Sequence, residues 1–205
     1  MKRLAVAIGL TLAVAFVPLA ALADPTTWSI DPAHTQSMFT VRHMVVANVR
    51  GEFEKTTGTV VLDDKDPSKS SVEATIDVNS LSTRVPDRDK HLKSPDFFDA
   101  ANHPNITFKS SKVEKVGAGK YKVTGDLTMR ATTKSVVLEV ELPDAAVKDP
   151  GGNTRHGFTA TTKVNRLEYG LAWNKMIEAG PVVSNEVKID IEGELVLQAP
   201  KTTSK

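Results

Sequence analysis

From Trp28 onward the chain alternates apolar and polar residues in short runs, and that period confines it to extended strands with one wet face. Val72-Glu73-Ala74-Thr75-Ile76-Asp77-Val78-Asn79 is the clearest run. Tyr121 to Met129 repeats it, with Tyr121, Val123, Leu127 and Met129 on one face, and so do Val136 to Leu142 and Val187 to Leu197. Phe158 to Val164 is a weaker instance. Phe39, Val41 and His43 share a face opposite Thr40, Arg42 and Met44. Val60 with Leu62, and Ile106 with Phe108, mark two more strands. Turn chemistry separates the runs at Asp63 to Ser68, Gly117-Ala118-Gly119 and Asp149 to Asn153. The expectation is an all-β, antiparallel domain of about eight strands, spaced as in a sandwich or barrel. Closing into a barrel removes the sheet edges that would otherwise template aggregation. An eight-stranded barrel either fills its interior or holds one small ligand, and periodicity does not choose between them.

Helix is sparse. Ser94 suits an N-cap, with Pro95 at the first helical position and Asp96 near the positive end of the helix. Asn174 to Ala179 is expected to form a second short helix.

The chain begins with a secretory signal. Lys2 and Arg3 precede an apolar run from Leu4 to Leu22, and Ala21-Leu22-Ala23 forms a small-x-small cleavage site. Pro18 interrupts the run, so cleavage after Ala23 is expected in place of anchoring. Residues 1–23 read as signal peptide, 24–198 as one barrel domain and 199–205 as a flexible polar tail. The expected location is the periplasm. The sequence has no cysteine, which removes lipidation, disulfides, thiolate chemistry and Cys-ligated metal. Losing Lys2 and Arg3 takes the formal net charge from +1 to −1. That balance gives no electrostatic reason to seek nucleic acid or an anionic membrane.

Few residues carry chemistry. The five histidines, His34, His43, His91, His103 and His156, form no HxH or HExxH pair, so no metal is expected. His43 lies in phase with Phe39 and Val41 and reads equally as a bonded core histidine or a ligand contact. Arg84, Arg88, Asp89 and His91 cluster within two turns. They form either a solvated loop held by a salt bridge or a clamp for a charged head group, since arginine suits phosphate. No Gly-rich phosphate loop and no GxSxG elbow occurs. Asp63-Asp64 sits in an evident turn, so a glycosidase pair is not expected. The aromatic residues are core by default.

Taken together, these motifs resemble the YceI-like polyisoprenoid-binding family. The likeness opens at Trp28-Ser29-Ile30-Asp31-Pro32-Ala33-His34-Thr35, then Phe39-Thr40-Val41-Arg42-His43 and Val49-Arg50-Gly51-Glu52-Phe53. Its densest block runs from Ser82-Thr83-Arg84 through Arg88-Asp89-Lys90-His91-Leu92 to Asp96-Phe97-Phe98-Asp99, followed by Pro104 to Ser110 and Gly125 to Met129. Asn165-Arg166, Tyr169-Gly170, Trp173-Asn174-Lys175 and Glu178-Ala179-Gly180 complete it. Thr35 stands where the family usually has serine. Arg130-Ala131-Thr132 replaces the usual His-Gly-Val, which is expected to alter head-group preference.

The resemblance implies an eight-stranded, extended lipocalin-like barrel with one or two short helices, which binds, stores or transports a polyisoprenoid. The cargo would be a polyprenyl phosphate or pyrophosphate, or an isoprenoid quinone. It implies no enzyme activity and no cofactor. It assigns the head group to His34, His43, Arg84, Arg88, Asp89 and His91, with Asp89 orienting Arg88. It assigns the hydrophobic tunnel to Phe39, Val41, Phe53, Phe97 and Phe98, to Ile106, Phe108 and Met129, and to Phe158 and Trp173. A fatty acid or fatty amide carrier, or a lipid-modifying enzyme using His43 and His91, is the alternative. A homodimer and an unidentified membrane donor or acceptor complete the expected partners.

Overall fold

The computed structural model describes residues 25–143 and 145–199. The expected signal peptide and all but the first residue of the expected tail lie outside them. The strands are β1 (Thr26–Ile30), β2 (Gln36–His43), β3 (Ala47–Phe53), β4 (Thr56–Leu62), β5 (Ser71–Asp77), β6 (Leu81–Ser82), β7 (Asn105–Gly117) and β8 (Lys120–Met129). They continue as β9 (Thr132–Glu141), β10 (Val147–Lys148), β11 (Thr154–Asn165), β12 (Met176–Ile177), β13 (Gly180–Pro181) and β14 (Val183–Leu197). A single α-helix, α1 (Pro86–Lys93), interrupts them among the described residues.

Eight of these strands close a ring, in the order β14, β11, β9, β8, β7, β5, β4, β1 and back to β14. The closing strand is long enough to serve two neighbours in turn. Along one edge β14 pairs with β11 from Glu186 to Val196. Along its other edge it pairs first with β2 and then with β1. The hairpin β2–β3 therefore extends the wall beyond the ring, and β3 passes it on to β6 and α1. This is the helix end of the barrel.

The sequence alternation becomes an inside and an outside. On β8, Tyr121, Val123, Leu127 and Met129 all point inward. A bulge between Ser110 and Lys112 reverses the phase of β7, so that Ile106 and Phe108 face the interior before it and Val113 after it.

Two local expectations are corrected. The α-helix spans Pro86–Lys93 with Ser94 as its C-cap, while the turn expected after Ser94 forms at Pro95–Phe98 without extending into a helix, and Ser94 Oγ accepts from Asp96 N at 3.3 Å. Pro86 holds Val85 extended and supplies the first-turn φ. Asp87 and Asp89 in the first turn, with Lys90, His91 and Lys93 in the last, complement the helix dipole. Asn174 to Ala179 is not helical either. Asn174 hydrogen-bonds in both directions to the backbone of Val183, at 2.7 and 3.1 Å, and so holds the segment open as the hairpin β12–β13.

Candidate functional site: an apolar cavity with a polar end

The barrel encloses one cavity of about 380 Å³ among the described residues, running from the helix end to the loop after β4. Its walls are nearly all apolar. Each of the ten tunnel residues read from the sequence lines it. Phe39, Val41, Phe53, Phe97, Phe98 and Trp173 gather at the helix end, Ile106, Phe108 and Met129 stand on the β7–β8 wall, and Phe158 lies toward the far end. The rings meet edge to face: Phe53 and Phe98 are 5.5 Å apart, and His91 stands 5.1 Å from Phe97 and 5.0 Å from Trp173. Gly51 makes this packing fit, because a Cβ there would lie 2.3 Å from the Phe39 ring and 2.7 Å from Thr83 Cγ2.

The polar end is built around Thr83, a residue to which sequence reasoning gave no role. Its hydroxyl accepts a 2.7 Å bond from Arg88 Nε, and its carbonyl accepts from Arg88 Nη2 at 2.9 Å. Its hydroxyl and amide both donate to the Asp89 carboxylate, the amide at 2.8 Å. Asp89 thus fixes Thr83, and Thr83 fixes Arg88. Arg88 lines the cavity and Asp89 does not. The remaining guanidinium N–H groups of Arg88 have no partner among the described residues, and no carboxylate lies within salt-bridge distance of it. A charge-assisted donor held this way at the end of an apolar cavity suits an anionic or polar head group.

The other candidates divide. His91 lines the cavity and bonds Asp96 through Nε2 at 2.8 Å. His43, half-buried at the end of β2, also lines it. Arg84 is exposed, has a left-handed backbone with φ 64°, and stands outside the cavity lining. His34 is not brought to this end at all. It sits exposed in the turn after β1, with Nδ1 2.9 Å from Asp31.

Arg166 is a second residue with no role expected from its motif. It is 4% exposed and lines the cavity. Its guanidinium donates to the carbonyls of Ser184 at 2.9 Å and Trp173 at 2.8 Å, and also to that of Leu171. Burial pulls its pKa below the ordinary arginine value. It thereby ties the segment carrying Trp173 to the barrel wall. Asn165-Arg166 was visible as a motif, but nothing in sequence tells a buried arginine from an exposed one.

At the far end Arg155 joins Asp149 at 2.7 Å, Asp31 at 2.5 Å and Glu194 at 2.9 Å. Asp31, His34 and Glu194 present donor atoms within 4.8 Å of one another, but the guanidinium already occupies their carboxylates. The arrangement staples three chain segments and is poorly suited to a cation. Arg155 first, then His34, holds Asp31 down from 3.8 to about 2, and Arg155 with Asn153 does the same for Asp149. Depressed carboxylates stabilise the fold above their unfolded pKa and lose that contribution as the pH falls through the folded one. Stability should therefore drop between pH 3.8 and about 2. Thermal melts across that window should show a steeper fall for the wild type than for Arg155→Met, and equal slopes would refute the staple.

A closed antiparallel barrel around one apolar cavity, with a short helix presenting polar groups at one end, defines a lipocalin-like class of single-cavity barrels. Within that class the chain belongs to the YceI-like family, whose domain model matches residues 28–195. It is 35% identical over 192 residues to a UPF0312 protein of Vibrio parahaemolyticus, covering 94% of this chain and 96% of that one. It is 36% identical to a UPF0312 protein of Photorhabdus laumondii, covering 84% and 88%. Among solved structures, the Campylobacter jejuni YCEI protein aligns with TM-score 0.65 at 28% identity, covering 75% of this chain and 88% of that one. Burkholderia cenocepacia BcnA aligns at 0.70 and 24%, covering 82% and 99%. A polyisoprenoid binding domain from Saccharophagus degradans aligns at 0.60 and 17%, covering 85% and 99%. The last two likenesses bear on fold alone.

Proposed function

We propose that this chain is a periplasmic, non-enzymatic carrier that holds a polyisoprenoid or similar long amphiphile in its barrel, with the head group at Arg88. The observation that carries the reading is the apolar cavity running the length of the barrel and ending on a guanidinium with unspent donors. Burying a prenyl chain there stabilises the complex by about 0.8 kcal/mol per methylene equivalent, offset in part by ordering of the chain. Energy comes from the lining, and selection from the polar end. The Saccharophagus degradans domain that shares this fold is named as polyisoprenoid binding. The bond from His91 to Asp96 and its edge contacts with two rings suit a structural support of the aromatic end better than a catalytic base.

The direct test is lipid extraction from protein recovered from its own exported fraction, followed by mass spectrometry. A stoichiometric prenyl lipid or quinone is expected. Protein that emerges without lipid and refuses such lipids when offered would end the carrier reading. The polar end is tested separately. Arg88→Ala should weaken phosphate- or pyrophosphate-headed prenyl lipids by about tenfold or more, the range of a lost charge-assisted bond, and neutral quinones far less. Equal losses in a binding titration would remove the head-group assignment.

A further inference from the structure

The turn joining β2 to β3 breaks two rules at once. It closes with a bond from Val46 N to His43 O at 3.1 Å, and its central residues, Met44 and Val45, have φ 49° and 62°. Both central residues left-handed is the type I′ geometry that hairpins ordinarily fill with Asn-Gly. A β-branched valine in that region is strained, and strain that persists points to a use for the side chains held there. These side chains are also in water: Val45 is 54% and Val46 70% exposed.

A second apolar tip lies beside the first. Met176, on β12, is 70% exposed, and its neighbour Ile177 is exposed as well. The two hairpins touch: Met44 N donates to Val182 O at 2.8 Å, and a Cβ on Gly180 would lie 3.8 Å from Val45 Cγ2. Their inner bases are cavity wall, since His43, Val49 and Val182 all line it. Five apolar side chains thus form a crest that continues the cavity lining out into solvent.

Although the processed chain has a formal net charge of −1, the two hairpin segments together carry three cations and one acid. Residues 42–50 carry Arg42 and Arg50 and no acid. Residues 173–183 carry Lys175 and Glu178. Arg42 folds back over the turn, with Nε 3.0 Å from Val45 O, and keeps its guanidinium at the tip.

We infer that this crest docks the helix end of the barrel onto an anionic lipid bilayer, the apolar tips entering the boundary between headgroups and acyl chains and the cations meeting the headgroup charge. A second copy of the chain fits less well. A two-fold interface would bring the Arg42 and Arg50 patches against each other, and five side chains fall far short of the roughly 20 residues a side of a stable protein interface. The inference rests on the carrier reading only for its purpose, placing the cavity mouth where a lipid could pass. Docking itself needs no cargo.

The test is flotation of the processed protein with vesicles of phosphatidylethanolamine and phosphatidylglycerol, against vesicles of phosphatidylcholine alone. Wild type should bind the anionic vesicles, and 0.5 M salt should weaken binding. Val46→Asp combined with Met176→Asp should weaken it by about tenfold or more. Met44→Asn with Val45→Gly supplies the side chains a type I′ turn prefers, so this variant should melt higher than wild type and still bind vesicles more weakly. Lower binding together with a raised melting temperature excludes misfolding as the cause. Vesicle binding unchanged in both variants would overturn the inference, as would a wild-type dimer in sedimentation that Val46→Asp dissociates. Failure here with a prenyl lipid still recovered from the barrel would leave the carrier reading intact.

Discussion

Ala160→Trp should weaken uptake of a long-chain lipid by about a hundredfold while leaving the barrel closed. Ala160 is 4% exposed on β11, between Val140 of β9 and Ile191 of β14, and its methyl group faces the cavity. An indole at this point obstructs the passage between the helix end and the far end. A chain entering beside Arg88 would then have only the near part of the cavity to fill. Excluding four methylene equivalents would remove about 3 kcal/mol, or about a hundredfold in affinity. Over-packing should lower stability by about 1–3 kcal/mol, which a closed barrel of this size can absorb. Thr159→Trp is the control, since Thr159 is exposed, faces outward and does not line the cavity. Binding titrations with a fluorescent prenyl lipid decide the matter, with thermal melts as the check on folding. Wild-type affinity in Ala160→Trp would mean that the chain does not lie along the barrel axis.

The strands were legible because a half-buried strand writes its two faces directly into the sequence, and the barrel's inner wall is the apolar phase of each run. The tunnel residues were implied by the family likeness, and strand phase alone did not single them out. What escaped has physical causes. The bulge at Ser110–Lys112 shifts β7 by one position, which a strict period of two does not register. Helix α1 has a polar residue at almost every position, so no apolar stripe announces it. Asn174 substitutes its side chain for a strand edge, an interaction set by the distant Val183. The polar end was only half visible. Arg88 and Asp89 are neighbours in sequence and read either as a salt-bridged loop or as a clamp with Asp89 orienting Arg88, but their connection passes through Thr83, whose place opposite them depends on how β6 meets α1. His34 belonged to the same motif set and lies at the far end of the barrel, because sequence order along a barrel does not say which end a turn falls on.

Arg166→Ala should bring the largest loss of stability, and the loss should begin at the helix end. A buried guanidinium without a carboxylate partner is tolerated when backbone carbonyls satisfy its donors, and here those of Leu171, Trp173 and Ser184 do so. Truncating the side chain removes the charge and leaves these carbonyls buried and unpaired, each worth about 1–3 kcal/mol. Water entering the vacated space recovers part of that, so a net loss of about 3 kcal/mol is expected. Arg166→Lys should fall between, because one ammonium on a flexible stem cannot reproduce a planar fork reaching three carbonyls. The local consequence is distinctive. Trp173 loses its tether, and with it the edge contact that supports His91 and the tilted contact with Phe97. The only other tryptophan is Trp28, so Trp28→Phe leaves Trp173 as the sole indole reporter. In that background Arg166→Ala should red-shift the Trp173 emission at low urea, before global unfolding, and should weaken lipid binding by opening the end of the cavity that Arg88 serves. Urea midpoints and Trp173 emission matching those of the parent would show that the segment holds itself without the arginine.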